Sequence, residues 1–417
     1  MISNSLSNKL GERFSFLAIS DFKDQVNARG PLTRRVYMVK FWNDEKIFLD
    51  GDQYFESLIK DIGQAKNLIT VEIYMFNNDG LGNEIATHLI AAHQRGVKVE
   101  IVVDGVGSYT FFEVLHKRFS EARIAVKMFH PLPLYHPDNG GLSLKQKVQT
   151  FFTRLWRMNQ RNHRKIVTID RFIMYAGSLN FSAEHTKYHN AKKWKDTGVR
   201  VEGSNVKIAV LHFKKIWSLK EYFILKKEMK PVLTRKLKYS PLRLNYSLFM
   251  KRFYYRDLIR KINHSQIRIW IMTPYFIPKR QLIRVLGKAA NRGVDVRILI
   301  SSKSDIHLFQ KLQSFYYPYL ANKGVKMFEY VETILHAKVF IIDDWVTIGS
   351  SNLNHRSILH DLEVDLAIQE QANKLIITND FIASTSSLLE VTMEDLKHRK
   401  IFDKFLSRLF FVFKYWF

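Results

Sequence analysis

Two stretches of this 417-residue chain carry the residue types of acid–base and phosphoryl chemistry at the same spacing. Residues 162–180 read NHRKIVTIDRFIMYAGSLN, and residues 335–352 read LHAKVFIIDDWVTIGSSN. The first holds His163, Lys165 and Asp170, then Gly177, Ser178 and Asn180; the second holds His336, Lys338 and Asp343, then Gly349, Ser350 and Asn352. Alternate side chains of a strand share a face, so each His-x-Lys sets an imidazole and an ammonium side by side. Two such pairs brought together, with two asparagine amides, would enclose a phosphodiester. Donors around its non-bridging oxygens stabilise charge as it develops. One imidazole can attack phosphorus while the other protonates the leaving oxygen. Paired histidines also suit a metal ion, but the lysine beside each one repels a cation, so neither a metal nor a cofactor is expected.

The elements that position these residues also occur twice. ITVEIYMF (69–76) matches IRIWIMTPYF (267–276), AAHQRGVKVEIVVD (91–104) matches AANRGVDVRILISS (289–302), and VKMF recurs at 126–129 and 325–328. In each half an apolar strand leads to a helix, exemplified by Ile85, Leu89 and Ile90 at helical spacing. Gly96 or Gly293 stops that helix as a left-handed cap, and a β-branched strand follows. Strand–helix–strand units predict an α/β fold. The expectation is two duplicated halves with mixed, mostly parallel sheets, related by a pseudo-twofold with the site at their shared interface.

Lysine and arginine number 65 against 39 acidic residues, a formal net charge of +26. The partner should be anionic, either nucleic acid or an acidic membrane surface. The absence of cysteine excludes disulfides, thiolate metal sites and a cysteine nucleophile. No run approaches the roughly 20 apolar residues that span a bilayer. The first 20 residues lack the basic-then-apolar pattern of a signal peptide. A peripheral protein at the cytoplasmic face of the cell membrane is expected.

The phrases VVDGVGS (102–108), HRKIVTIDRFIMYAGSLNFSAEH (163–185), WKDTGVRVEG (194–203), MTPYFIP (272–278) and HAKVFIIDDWVTIGSSNLNHRS (336–357) resemble the phospholipase D superfamily with two His-Lys-Asp motifs. More closely they resemble bacterial cardiolipin synthases of the branch without N-terminal transmembrane helices. The resemblance spans Phe48 to Gln369. It implies metal-free phosphatidyl transfer from phosphatidylglycerol through a phosphatidyl-histidine to an alcohol, a second phosphatidylglycerol, yielding cardiolipin and glycerol. Phospholipid hydrolysis and nuclease activity within the superfamily are the alternatives. Carried over residue by residue, His163 is the nucleophile and His336 the general acid and then base; pseudo-symmetry leaves the reverse open. Lys165, Lys338, Asn180 and Asn352 would hold phosphate oxygens, with Ser178 and Ser350 lining the site. Asp170 and Asp343 complete the motifs and are expected to brace strands rather than touch substrate. Asp196 and Glu363 would be the carboxylates that fix the imidazole tautomers, with Glu184 and Asp365 as rivals for that role.

The domain reading is an N-terminal extension (1–40), a first half (41–212), a basic and aromatic helical linker (213–250), a second half (251–395) and an amphipathic C-terminal segment (396–417). Between VKMF and the histidine the first half is 26 residues longer than the second and includes KQKVQTFFTRLWRMNQR (145–161). Basic and aromatic residues interleave there, as they do in KHRKIFDKFLSRLFFVFKYWF (397–417), where Phe402, Phe405, Leu409, Phe413 and Trp416 share a helical face. Such segments suit a membrane interface. They favour anionic phospholipid over nucleic acid as the partner.

Overall fold

Alternating burial in the strands that follow each motif histidine decides the architecture. Ile166, Met174 and Ala176 pack into one apolar cluster, while Val167, Ile169 and Tyr175 pack into another. A strand whose two faces are both buried reads as a continuous apolar run, as IVTI and IMYAG do. The computed structural model of the chain describes residues 40–112, 114–133, 143–218, 240–303, 313–392 and 394–395. The expectations for residues 1–39 and 396–417, and for most of the linker, lie outside the described residues.

The first half contributes β1 (Asp44–Phe48), β2 (Leu68–Ile73), β3 (Lys98–Asp104), β4 (Ala125–Phe129), β5 (Lys165–Ile169), β6 (Ile173–Gly177) and β7 (Gly198–Glu202). The second contributes β8 (Leu242–Leu244), β9 (Arg268–Thr273), β10 (Asp295–Ser301), β11 (Lys326–Tyr330), β12 (Val339–Ile342), β13 (Trp345–Gly349) and β14 (Val364–Ala367). The sheets run β1-β7-β6-β5-β2-β3-β4 and β8-β14-β13-β12-β9-β10-β11, the same order strand for strand. The duplication legible in three short matches therefore runs through both sheets. The sheets are mixed but not mostly parallel. Only β2-β3-β4 and β9-β10-β11 are parallel, and the remaining pairings are antiparallel. The βαβ periodicity covers just those three strands of each sheet. Strand β8 also lies inside the stretch assigned to the linker, so the second sheet begins earlier than 251.

Helices Gly51–Gln64 and Gly80–Gln94 cover the outer face of the first sheet through Leu58, Ile62, Ile85 and Leu89. Helices Leu248–His264 and Arg280–Asn291 cover the second through Ile259, Ile262, Leu282 and Leu286. The inner faces pack on each other: Met174, Ala176, Val199 and Val201 meet Val339, Ile341, Ile348 and Leu366. Gly96 and Gly293 stop their helices at φ +94° and +89°, a conformation costly for any side chain.

The motif aspartates sit at the hairpin turns β5–β6 and β12–β13, each at φ +51°. Asp170 accepts hydrogen bonds from the backbone N–H groups of Lys66, Asn67 and Leu68 at 2.7–3.0 Å. Asp343 accepts from Gln266, Ile267 and Arg268 at 2.9–3.0 Å. Each therefore ties its hairpin to the start of the neighbouring strand. Burial opposes ionisation of Asp343, but the three backbone donors outweigh it and hold the carboxyl below its ordinary value of 3.8. A depressed folded-state pKa contributes stability that is present above the unfolded value and lost as pH falls through the folded one. Asp343→Ala leaves three donors without their acceptor and should cost about 1–3 kcal/mol at pH 7, read as a lower urea midpoint. The gap to wild type should narrow below about pH 4; a gap that ignores pH would contradict this role.

Candidate active site

Backbone zippering between the halves builds the site. Each motif histidine lies just ahead of β5 or β12 and is hydrogen-bonded to the other half. His163 N–H donates to Leu362 O at 3.0 Å, and Leu362 N–H to Arg161 O at 2.8 Å. His336 N–H donates to Lys195 O at 2.8 Å, and Lys195 N–H to Ile334 O at 2.9 Å. The residue after each bridge is a carboxylate, so the carboxylates cross. Glu363 accepts from His163 Nδ1 at 3.0 and 3.2 Å, and Asp196 accepts from His336 Nδ1 at 2.7 Å. With Nδ1–H held, Nε2 of each ring carries the free lone pair.

Serine hydroxyls secure the carboxylates rather than facing a ligand. Ser178 Oγ donates to Asp196 Oδ1 at 2.7 Å, and Ser350 and Ser357 donate to Glu363. Lys165 Nζ and Lys338 Nζ donate back to the carbonyls of His163 and His336 at 2.8 and 2.6 Å, which aims both ammonium groups. The Tyr74 ring packs 4.8 Å from His163, and Trp194 5.2 Å from His336. Asn180 and Asn352 are buried, and the Oδ1 of each lacks a hydrogen-bond partner. Asp170 and Asp343 lie at the hairpin turns, bound to backbone amides. Glu184 accepts from Ser182 and Asp365 from Ser351, so neither rival carboxylate holds a motif imidazole.

Burial, then Lys165 and Lys338, push the His163 pKa well below 6.5. Burial and Lys338 lower His336 as well, against the pull of Asp196. Burial, then Lys338, lowers Lys165. Lys338 of the second half thus acts on both groups of the first motif, so the two motifs share one electrostatic site. Burial raises Glu363 to about 6, although Lys165 opposes it. Burial also works against Asp196, but His185 and His336 overcome it and hold that carboxyl well below its usual range.

His185 is the residue that the sequence reading missed. Its side chain is fully buried, its Nδ1 donates to Asp196 Oδ2 at 2.7 Å, and its ring lies 5.5 Å from that of His336. It falls five residues after Asn180, and the residue five after Asn352 is Ser357. One carboxylate therefore serves two imidazoles and the other serves one. Asp104 is a second omission. It accepts from the backbone N–H of Asn162 at 2.8 Å, and Ser301 does the same for Leu335 at 3.0 Å, fixing the residue before each histidine. His185, Asp196 and His336 place ligand-type atoms within 4.8 Å of one another. Both Asp196 oxygens already accept N–H donors there, and Lys338 acts on His336, so the donor set suits proton holding better than a cation.

Burial and then Lys338 are the main causes of the lowered His336 pKa, and neighbouring His185 adds to them. His185→Ser, which installs the residue of the other half, should therefore shift the His336 titration upward, read by NMR of 15N-histidine-labelled protein. An unchanged or lower titration would contradict the shared-carboxylate reading.

The family model described as cardiolipin synthase, PLD-like domain matches residues 58–217 and 258–384. The cardiolipin synthase of Alkalihalophilus pseudofirmus is 27% identical over 378 residues, covering 88% of this chain and 71% of that protein. Cardiolipin synthase B of Escherichia coli K12 is 28% identical over 341 residues, covering 79% and 77%. Among solved structures, phosphatidylserine synthase of Haemophilus influenzae superposes with a TM-score of 0.66 at 13% identity, covering 89% of this chain and 95% of that one, and shares the fold. With both halves matched and a His-Lys-Asp motif in each, the chain belongs to the phospholipase D-like domain family of the cardiolipin synthases.

Proposed function

We propose that this chain is a cardiolipin synthase-type phosphatidyltransferase in which two histidines, each oriented by the opposite half, work on one phosphodiester. The crossed Glu363–His163 and Asp196–His336 hydrogen bonds carry this reading. In the first step His163 Nε2 attacks phosphorus, a P–N bond forms, and the P–O bond to glycerol breaks as His336 gives that oxygen its proton. In the second step the hydroxyl of another phosphatidylglycerol loses its proton to His336 and attacks phosphorus. The P–N bond breaks, and cardiolipin leaves. Pseudo-symmetry permits the reverse assignment of the two rings. Lys165, Lys338, Asn180 and Asn352 surround the non-bridging oxygens, and Asp170 and Asp343 hold the hairpins that carry the motifs. The same lysine charges that depress both imidazoles are offset when the anionic diester enters, so substrate itself raises the fraction of imidazolium needed by the acid. Among the described residues no helix is long and apolar enough to cross a membrane. The working place in this reading is the cytoplasmic membrane surface, reached peripherally.

Incubation with phosphatidylglycerol vesicles should yield cardiolipin and glycerol. His163→Ala and His336→Ala should each lower the rate by at least roughly 10²-fold. Phosphatidic acid as the sole lipid product would make the chain a hydrolase. Cleavage of added nucleic acid without lipid turnover, lost in the same variants, would move it to the nuclease branch.

The pH profile has a definite sign. One imidazole must be neutral, so the rate rises with pH through its pKa. The other must be protonated, so the rate falls through its own. Both values are lowered in the free protein. The bell in kcat/KM should lie on the acid side of pH 6.5, and the bell in kcat should move to higher pH because the bound diester offsets the lysines. With chemistry rate-limiting, a kcat/KM profile that only rises with pH, or one whose optimum lies above pH 6.5, would contradict two-histidine catalysis.

A further inference from the structure

The helix Leu144–Arg157 has its amphipathicity inverted. A surface helix normally turns its apolar stripe to the core. Here Thr150 is its only buried side chain. Leu144, Val148, Phe152, Leu155 and Trp156 are all exposed, with Leu144 at 79%, Phe152 at 62% and Trp156 at 87%. At about 100° per residue these five fall within an arc of about 120°, and Thr150 lies about 180° from its midpoint. The apolar stripe thus faces directly away from the protein. Lys145, within that arc at the N-terminal end of the helix, and Lys147, about 60° outside it, are both exposed, and the helix contains no acidic residue.

The two ends of the helix are fixed. Ser143 and Gln146 form a capping box at the N-terminus. At the C-terminus Arg157 O accepts from Arg161 Nη2 at 2.8 Å, and the backbone N–H of Arg161 donates to Asp361 Oδ1 at 2.9 Å. Arg161 is buried and stands two residues before His163. The helix is therefore an apolar ridge whose C-terminal end is tied at the threshold of the active site, and it belongs to the longer connection found only in the first half.

We propose that this ridge is a docking surface for an anionic lipid bilayer, with the apolar stripe entering the acyl boundary and the two lysines meeting anionic headgroups. An aromatic and aliphatic stripe accompanied by cations is the complement of that interface. A polyanion such as nucleic acid would match the lysines but leave the stripe in water. Docking here would set the mouth of the site at headgroup depth, where a lipid phosphodiester lies. The inference rests on the phosphatidyltransferase reading for its purpose but not for its test.

The chain has no cysteine, so a single introduced thiol takes a fluorophore uniquely. An environment-sensitive dye at Phe152→Cys should blue-shift and brighten on vesicles of mixed phosphatidylglycerol and phosphatidylcholine. The same dye at Asp344→Cys, on the β12–β13 hairpin away from the histidines, should not. The double variant Phe152→Ser/Trp156→Ser should keep the wild-type urea midpoint, because both side chains are exposed. It should lose vesicle affinity by roughly tenfold or more. An unresponsive dye at 152, undiminished vesicle binding by the double variant, or a dye response to nucleic acid but not to vesicles would overturn the proposal. Insertion of the ridge without lipid turnover would count against the enzymatic reading alone, and turnover without insertion against the ridge alone.

Discussion

Neither half of this protein can orient its own histidine. The Nδ1–H of His163 is held by Glu363, and that of His336 by Asp196, so both tautomers depend on contacts across the interface between the sheets. The rest of the architecture serves this exchange. The backbone bridges at Leu362 and Lys195 set each carboxylate, one residue further along its own half, against the other half's histidine. Val199, Val201, Ile341 and Ile348 lock the sheets face to face, and Ser178 and Ser350 fix the carboxylates from their own half. A buried carboxylate without such partners would be costly, and here every partner is in place.

Two ammonium groups share the same buried space. Lys165 and Lys338 are each nearly inaccessible, and Lys338 acts on both His163 and Lys165. Glu363, Asp196 and Asp361 offset part of that repulsion at Lys165. In the proposed reaction an entering phosphodiester would add its negative charge beside both ammonium groups. The halves are not equivalent, however. Asp196 is shared with His185, whereas Glu363 bonds Ser357 in the matching place. The duplication thus leaves the two imidazoles in unequal surroundings.

Much of this was legible in the sequence, because the duplication and the His-x-Lys spacing are local patterns. The three short matches predicted two α/β halves, and every strand of the first sheet has its counterpart in the second. The antiparallel share was less legible. It is carried by hairpins that turn at Asp170-Arg171 and Asp343-Asp344, where the sequence reading took the aspartates as strand braces and did not see the turns. Strand β8 is three residues long in a basic stretch, too short for periodicity to show. The candidate site was legible in its residue types. Its crossing was not, because Glu363 and Asp196 lie 200 and 140 residues from the histidines they hold. His185 was hidden among 15 histidines, and only comparison of the residues five beyond Asn180 and Asn352 exposes it.

The imidazole Nδ1–H protons report the crossing directly. NMR of 15N-histidine-labelled protein would compare wild type with Asp196→Asn and Glu363→Gln, with His163 and His336 assigned by substitution. Asp196→Asn should displace the His336 Nδ1–H resonance and leave His163 in place, while Glu363→Gln should do the opposite. Displacement of His163 by Asp196→Asn and of His336 by Glu363→Gln would place each carboxylate with its own half and contradict the account.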